Sequence, residues 1–191
     1  MAQNPERRAA LVDAAIDVLA REGARGLTFR AVDTQAGVPT GTASNYFANR
    51  EDLLDQAGRR VYTRLAPDPA SVAHALETPP SRELVRHFMH DIVRRVTADR
   101  TGYLALLELR LEATRRPDLR RTLTARLQPE YEESIRFHLA AGLPGDRSTV
   151  SVLYFAMLGL IVEHLTVPEV IAADPIEALI DAIVDRVVPR E

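Results

Sequence analysis

Residues Ile176, Leu179, Ile180, Ile183, Val184, Val187 and Val188 stand at positions i, i+3, i+4, i+7, i+8, i+11 and i+12 of one segment. That spacing lays one apolar stripe along an α-helix, whereas in a strand it would scatter the same residues over both faces. The three-and-four pattern recurs almost throughout the 191 residues, and no stretch alternates cleanly between hairpin turns. The expected fold is therefore all-α, with about nine helices.

Capping and breaking residues divide the pattern. Asn4-Pro5 supplies an N-cap and an N1 proline, and Gly23 stops the first helix. Thr28 caps a short second helix to about Gln35, closed by Gly37. A third fits Thr40 to Phe47. Asn49 caps a fourth, with Glu51 and Asp52 where the helix dipole favours acids. Residues 66–80 hold four of the 12 prolines and read as a joint, with one helical turn after Asp68-Pro69. Beyond it, Ser81 caps a helix to about Ala98, and another spans roughly 101–115. Pro117 opens one that Pro129 is expected to kink or split. Asp146 caps a helix reaching Leu165, and Asp174-Pro175-Ile176-Glu177 reads as a capping box. The divisions expected are 1–48, then 49–80 as connecting helix and joint, then 81–191.

Composition removes several classes of function. Without cysteine there is no disulfide, zinc–thiolate site or thiol nucleophile, and a reducing, cytoplasmic setting is expected. The opening Met1-Ala2-Gln3-Asn4-Pro5 is followed by charges, not by an apolar signal segment. The longest apolar run, Val152 to Val162, falls short of the about 20 residues of a bilayer span, so no membrane association is expected. The net charge of −3 gives no hint of nucleic-acid binding, so any such contact must come from a local surface. His87 and His90 share a helix face, but no third ligand is identifiable, and neither a metal nor a cofactor is expected. The stretch from Gly37 to Gly41 is no phosphate loop, because no Gly-Lys-Ser/Thr comes after it. H-E-x-x-H, G-x-S-x-G and E-x-x-H are absent, and no enzyme is expected.

Residues 26–50 read GLTFRAVDTQAGVPTGTASNYFANR. Two short helices joined by a tight turn at Ala36-Gly37-Val38 form a helix-turn-helix. Gly37 permits positive φ, and Val38 plugs the angle between the helices. The segment after the turn presents Thr40, Thr42, Ser44, Asn45 and Tyr46, polar groups suited to phosphate oxygens and base edges, with Arg30 and Arg50 flanking it. On residues alone the alternative is a helical protein-interaction module that binds no DNA. Arg7 and Arg8 either reach a minor groove from the start of the first helix or form a solvated, charged helix end.

Over about residues 7–60, the blocks AAIDVLAREG, GLTFRAV, AGVPTGTASNYF and NREDLL follow one another in the order and spacing of the TetR family of bacterial transcriptional regulators, which the chain resembles. The C-terminal half resembles it only in helix count and style. The resemblance implies a two-domain helical homodimer that responds to a small-molecule effector of unknown identity and binds a double-stranded DNA operator, most often as a repressor. It puts Arg30 where members read a base, and Thr40, Gly41 and Thr42 at the start of the recognition helix. Tyr46 falls where members meet phosphate, Arg50 is the basic position after the third helix, and Thr28 offers its hydroxyl and N–H to phosphate. Three positions depart from the common pattern. Ser44 replaces an aromatic, Ala43 a bulky aliphatic and Asp33 a small alanine; Asp33 either pairs with Arg30 or caps locally.

The run Val152–Val162 is apolar nearly all round its helix, and such a helix needs cover on every side. Packing it and the terminal stripe against their two-fold mates as a four-helix bundle meets that need. The interface expected comprises Val152, Phe155, Gly159 and Val162 with Ile176, Leu179, Ile180, Ile183, Val184 and Val187; an internal monomeric core is the other arrangement. For an effector pocket the central helices offer His87, His90, Tyr103, Leu107 and Arg110. Further along stand Tyr131, Phe137, His138, Tyr154 and Met157. Arg110 either meets a ligand acid or pairs with a nearby glutamate.

Overall fold

The computed structural model describes residues 4–190; the signal-segment reading of Met1 to Gln3 lies outside them. Among the described residues there are nine α-helices, two 3-10 turns and no strand. In chain order the helices are α1 (Pro5–Gly26), α2 (Phe29–Gln35), α3 (Arg50–Leu65), α4 (Pro69–Ala75), α5 (Arg82–Ala98), α6 (Arg100–Ala113), α7 (Pro117–Ala140), α8 (Arg147–Thr166) and α9 (Ile176–Val187).

The caps explain most boundaries. Asn4 Oδ1 accepts from Glu6 N at 2.9 Å, Thr28 Oγ1 from Ala31 N at 3.1 Å, and Asn49 Oδ1 from Asp52 N at 2.8 Å. Asp146 and Thr149 form a reciprocal capping box on α8. The hydrogen bonds to Thr149 hold the Asp146 carboxyl below its ordinary range. Gly23 interrupts α1 at φ 69°, and a Cβ there would stand 3.0 Å from Glu108 Oε2.

Two boundary expectations need correction. Pro129 neither splits α7 nor ends it: the helix runs through as one element. The carbonyl that Pro129, having no N–H, cannot serve belongs to Ala125, an exposed residue. The capping box before α9 does not form, because the helix starts one residue later than expected; Pro175 is itself the N-cap and has no side chain to cap with.

The chain divides into two compact units. The first comprises residues 1–66 and 99–126; the second, residues 67–98 and 127–191. This partition by contact differs from the linear one read from the sequence: α6 packs against α1 and α3 and so belongs with the N-terminal helices. Leu11, Ile16 and Leu19 of α1, Leu53 and Leu54 of α3 and Leu109 of α6 are fully buried, each contributing about 1.5–3 kcal/mol. Arg60 ties α3 to α1 through two 2.9 Å bonds to Asp13, and Arg64 reaches Asp99 just before α6, with its Nε at 2.8 Å.

In the second unit Leu84 and Val85 of α5, Leu143, Leu153 of α8, and Val184 with Val188 form the core. A charged seam joins α5 to α9. Arg86 donates to Asp185 at 2.8 Å and lies 3.2 Å from Asp181, while His90 Nε2 meets Asp181 at 2.8 Å. The bond from His90, then the charge of Arg86, hold the Asp181 carboxyl below its usual value; Arg86 does the same for Asp185. By length and composition α8 is apolar enough to cross a bilayer. Its Val150, Leu153, Met157, Ile161 and Leu165 are instead buried in this unit.

Candidate nucleic-acid interface

The segment between α2 and α3 lies wholly within the first unit. Helix α2 ends where the Gly37 N–H bonds Thr34 O at 3.2 Å, and Gly37 itself turns at φ 64°. Val38 N–H then bonds Asp33 O at 3.0 Å. The element beyond this turn is shorter than the helix expected over Thr40 to Phe47: only Ala43–Asn45 forms a 3-10 turn. The side chains give the reason. Ser44 Oγ and Asn45 Nδ2 both donate to Gly41 O, at 2.8 and 3.1 Å, and Thr42 Oγ1 donates to Pro39 O at 2.5 Å. Short polar side chains thus take carbonyls that a regular helix would use.

Asp33 answers the question that the sequence left open. It does not pair with Arg30. Its carboxylate, 1% exposed, accepts from Gly41 N through Oδ2 and from Ala43 N through Oδ1, both at 2.7 Å. One side chain of α2 thereby holds two amides of the turn, and both of its oxygens are satisfied. The signal in the sequence was an acid beside Val32 on the buried face of a short helix; its partners, being backbone, left no trace.

Of the residues expected to meet DNA, Thr28, Arg30, Thr40, Gly41, Ser44 and Asn45 are exposed, and Thr42 and Tyr46 are half-buried. Arg50 is different. Its guanidinium turns inward, donating to Leu27 O at 3.2 Å and to Ala24 O, with Glu112 Oε1 3.7 Å away. It fastens the end of α1 and the start of α2 to α3. Arg50, expected to meet phosphate, is thus engaged in this conformation by the buried carbonyls of Leu27 and Ala24. Glu112, also buried, binds Arg116 at 2.5 Å and lies 3.6 Å from Arg115. A cleft of about 770 Å³ opens here, with Arg25, Thr28 and Arg115 on its wall.

Arg8 is engaged too. Its guanidinium stacks over Tyr46 at 5.9 Å and Phe47 at 5.4 Å and donates to Gln56 Oε1 at 2.9 Å. Gln56 in turn donates to Asp52, which also accepts from Ala48 N at 3.0 Å. Burial alone would raise the Asp52 carboxyl, but these bonds and the charge of Arg8 outweigh it and keep it low.

The expected effector residues do not gather in one unit. Tyr103, Leu107 and Arg110 belong to the first, and His87, His90, Tyr131, Phe137, His138, Tyr154 and Met157 to the second. Several are already committed. His90 holds Asp181, buried His138 meets Pro144 O at 2.9 Å, and Tyr103 and Met157 are core residues. Tyr131 bonds Ser151 at 2.6 Å and packs edge-on against Tyr154 at 5.0 Å. A cleft of about 650 Å³ between α4 and α5 takes in His87 alone of this set.

The expected dimer surface also divides. Ile180 and Val184 are fully buried inside their own unit, where α9 packs on α5 and α8; the spacing of the terminal stripe could not reveal that these two residues find cover within the chain. Ile176, Leu179, Ile183, Val187 and Val162 are half-buried. Val152, Phe155 and Gly159 are exposed on one face of α8, Phe155 by 61%, and nothing lies within 4 Å of a Cβ built at Gly159.

The family model for tetracyclin repressor-like C-terminal domains matches residues 80–190, and that for bacterial regulatory proteins of the tetR family matches residues 11–57. The chain belongs to the TetR family. This membership carries ligand-responsive DNA binding as the activity, rather than catalysis. The HTH-type transcriptional regulator BetI of Rhizobium meliloti is 32% identical over 139 residues, which cover 73% of this chain and 65% of that protein. The HTH-type nicotine-responsive transcriptional repressor HdnoR of Paenarthrobacter nicotinovorans is 25% identical over 95% of this chain and 96% of its own. Among solved structures, the multidrug binding protein EbrR complexed with imidazole superposes with a TM-score of 0.69 at 30% identity, covering 98% of each chain. A TetR-family member from Streptomyces coelicolor, SCO1917, gives 0.71 at 29% identity, over 97% of this chain and 99% of its own. The TetR match over residues 11–57 contains the whole turn gripped by Asp33.

Proposed function

We propose that the protein is a cytoplasmic repressor that binds a near-palindromic operator as a homodimer and is released from it by a small molecule. The observation that carries this reading is the exposed polar surface of Thr40, Gly41, Ser44 and Asn45, with Thr28 and Arg30 exposed on α2 and its cap. Hydroxyls, an amide and a guanidinium supply the groups that read major-groove edges and phosphates. Arg25 adds positive charge beside Thr28. Residues 1–48 would read DNA, 49–80 connect, and 81–191 hold effector and partner, with α6 serving the reading unit by contact.

Dimerisation is supported by the bare apolar face of α8 around Val152, Phe155 and Gly159, which water covers poorly and a second copy covers well. Two such reading units imply half-sites about 34–36 Å apart along the groove, or a multiple of that. For the effector, the proposal is an aromatic amine or cation. HdnoR is nicotine-responsive, EbrR is known in complexes with ethidium and malachite green, and the second unit of this chain carries the aromatic pair Tyr131–Tyr154, whose ring faces suit a cationic ring. Release needs only a difference in effector affinity between two conformations; a coupling of about 1–3 kcal/mol weakens DNA binding roughly 5–150-fold.

A mobility-shift assay with the DNA flanking the protein's own gene, at two salt concentrations, tests this. A specific complex with a steep salt dependence, dissolved by nicotine, which leaves the duplex itself unaltered, supports the whole reading. A complex at neither salt sinks it, and a complex indifferent to every aromatic cation sinks the effector class alone.

A further inference from the structure

The geometry points to Asp33 as the positioning residue for DNA reading: its buried carboxylate, gripping the amides of Gly41 and Ala43, sets where the reading surface stands relative to α2. This inference deepens the proposed function and rests on the reading role of the segment from Thr40 to Tyr46. The Thr40–Tyr46 turn is too short to hold itself. Its 3-10 stretch is three residues long, and Thr42 Oγ1, Ser44 Oγ and Asn45 Nδ2 each donate to a carbonyl within the turn itself, which ties it to no other element. Besides the bond from Val38 N–H to Asp33 O, two 2.7 Å bonds to the Asp33 carboxylate tie this turn to α2. They are charge-assisted and shielded from water, and both acceptors are used. Ala43, fully buried, presents only a methyl group where the carboxylate approaches its amide. Positions 33 and 43 are thus partners in one contact: an acid and the space for it occur together.

A single carboxylate therefore does for this turn what a bulky apolar side chain can do by packing, and it does so with direction. Two acceptors aimed at two amides fix both the height and the rotation of the turn, on which the bearing of Thr42, Ser44 and Asn45 depends. Asn at position 33 keeps one acceptor but turns an N–H₂ group toward the second amide, donor against donor, so it cannot substitute.

The experiment compares wild-type, Asp33→Asn and Asp33→Ala full-length proteins by fluorescence anisotropy, using the operator and a scrambled duplex of equal length. Both variants are expected to lose operator affinity by about 10- to 100-fold. Scrambled-DNA affinity and the slope of log K against log salt should stay within about twofold of wild type, because phosphate contacts remain. An Asp33→Asn protein with wild-type operator affinity overturns the inference, and so does a parallel loss on both duplexes. Hydrogen exchange on the wild-type protein gives a readout that does not depend on the variants folding: the Gly41 amide, on an exposed residue, should be protected, and unprotected exchange there overturns the anchor. If wild-type protein forms no operator-specific complex, the reading role of the turn fails, while the exchange result still decides whether Asp33 holds it.

Discussion

Replacing Arg50 by alanine distinguishes a structural clamp from a phosphate contact. The guanidinium donates to Leu27 O at 3.2 Å and to Ala24 O, and its side chain is 26% exposed. Bonds from a charged donor contribute about 1.5–3 kcal/mol each, and partial exposure argues for the lower end. Two such bonds give about 3 kcal/mol. Glu112 keeps Arg116 at 2.5 Å, so no uncompensated charge adds to the loss. For a chain of this length about 3 kcal/mol corresponds to a fall of roughly 6–12 °C in Tm. Lysine should recover little, because a single ammonium cannot span two carbonyls set for a forked donor. Thermal unfolding followed by circular dichroism, together with DNA affinity over a range of salt, forms the assay. The clamp predicts a lower Tm, and a salt slope equal to wild type when measured below the transition. An unchanged Tm with the slope reduced by about one would refute it and restore Arg50 to the phosphate backbone.

Arg30→Ala, at an exposed position, should leave Tm within about 1 °C and relax discrimination at one base pair by about 1–3 kcal/mol, measured on single-substitution operators. Phe155→Glu should yield a monomer in sedimentation at concentrations where wild type is dimeric, since its side chain faces outward; Ile180→Ala should instead cost about 2–5 kcal/mol of stability in denaturant titration, because its site is 1% exposed within the unit's own core. Acid should loosen the α5–α9 seam. The folded carboxyls of Asp181 and Asp185 lie below their ordinary value of 3.8, so their contribution is complete above that pH and disappears as pH falls through the lower folded values. A variant with both changed to asparagine should accordingly lose less stability than wild type between about pH 4 and pH 2, followed by urea titration at each pH.

Helix number, caps and the tight turn after α2 were legible because their causes are local. Asn4, Thr28, Asn49, Asp68 and Asp146 each satisfy amides two or three residues ahead, a relation that sequence spacing states directly. The expectation of a regular third helix went wrong at Ser44 and Asn45, whose competition for one carbonyl depends on rotamers. The ten effector candidates were chosen by residue type on central helices, and type does not say that His90 is held by Asp181 or His138 by a carbonyl six residues on.

By itself the order of residues determined a helical chain, where its helices start, and which short polar segment follows the Gly37 turn; these come from period, caps and turn chemistry within a few residues. Tertiary packing alone decided that α6 joins the N-terminal helices, that Arg50 faces inward, that Ile180 and Val184 are covered by their own chain, and that Asp33 holds the turn at Gly41 and Ala43. The physical reason is that each of these rests on a partner lying distant in sequence or on a backbone group, and a backbone amide or carbonyl is the same at every residue.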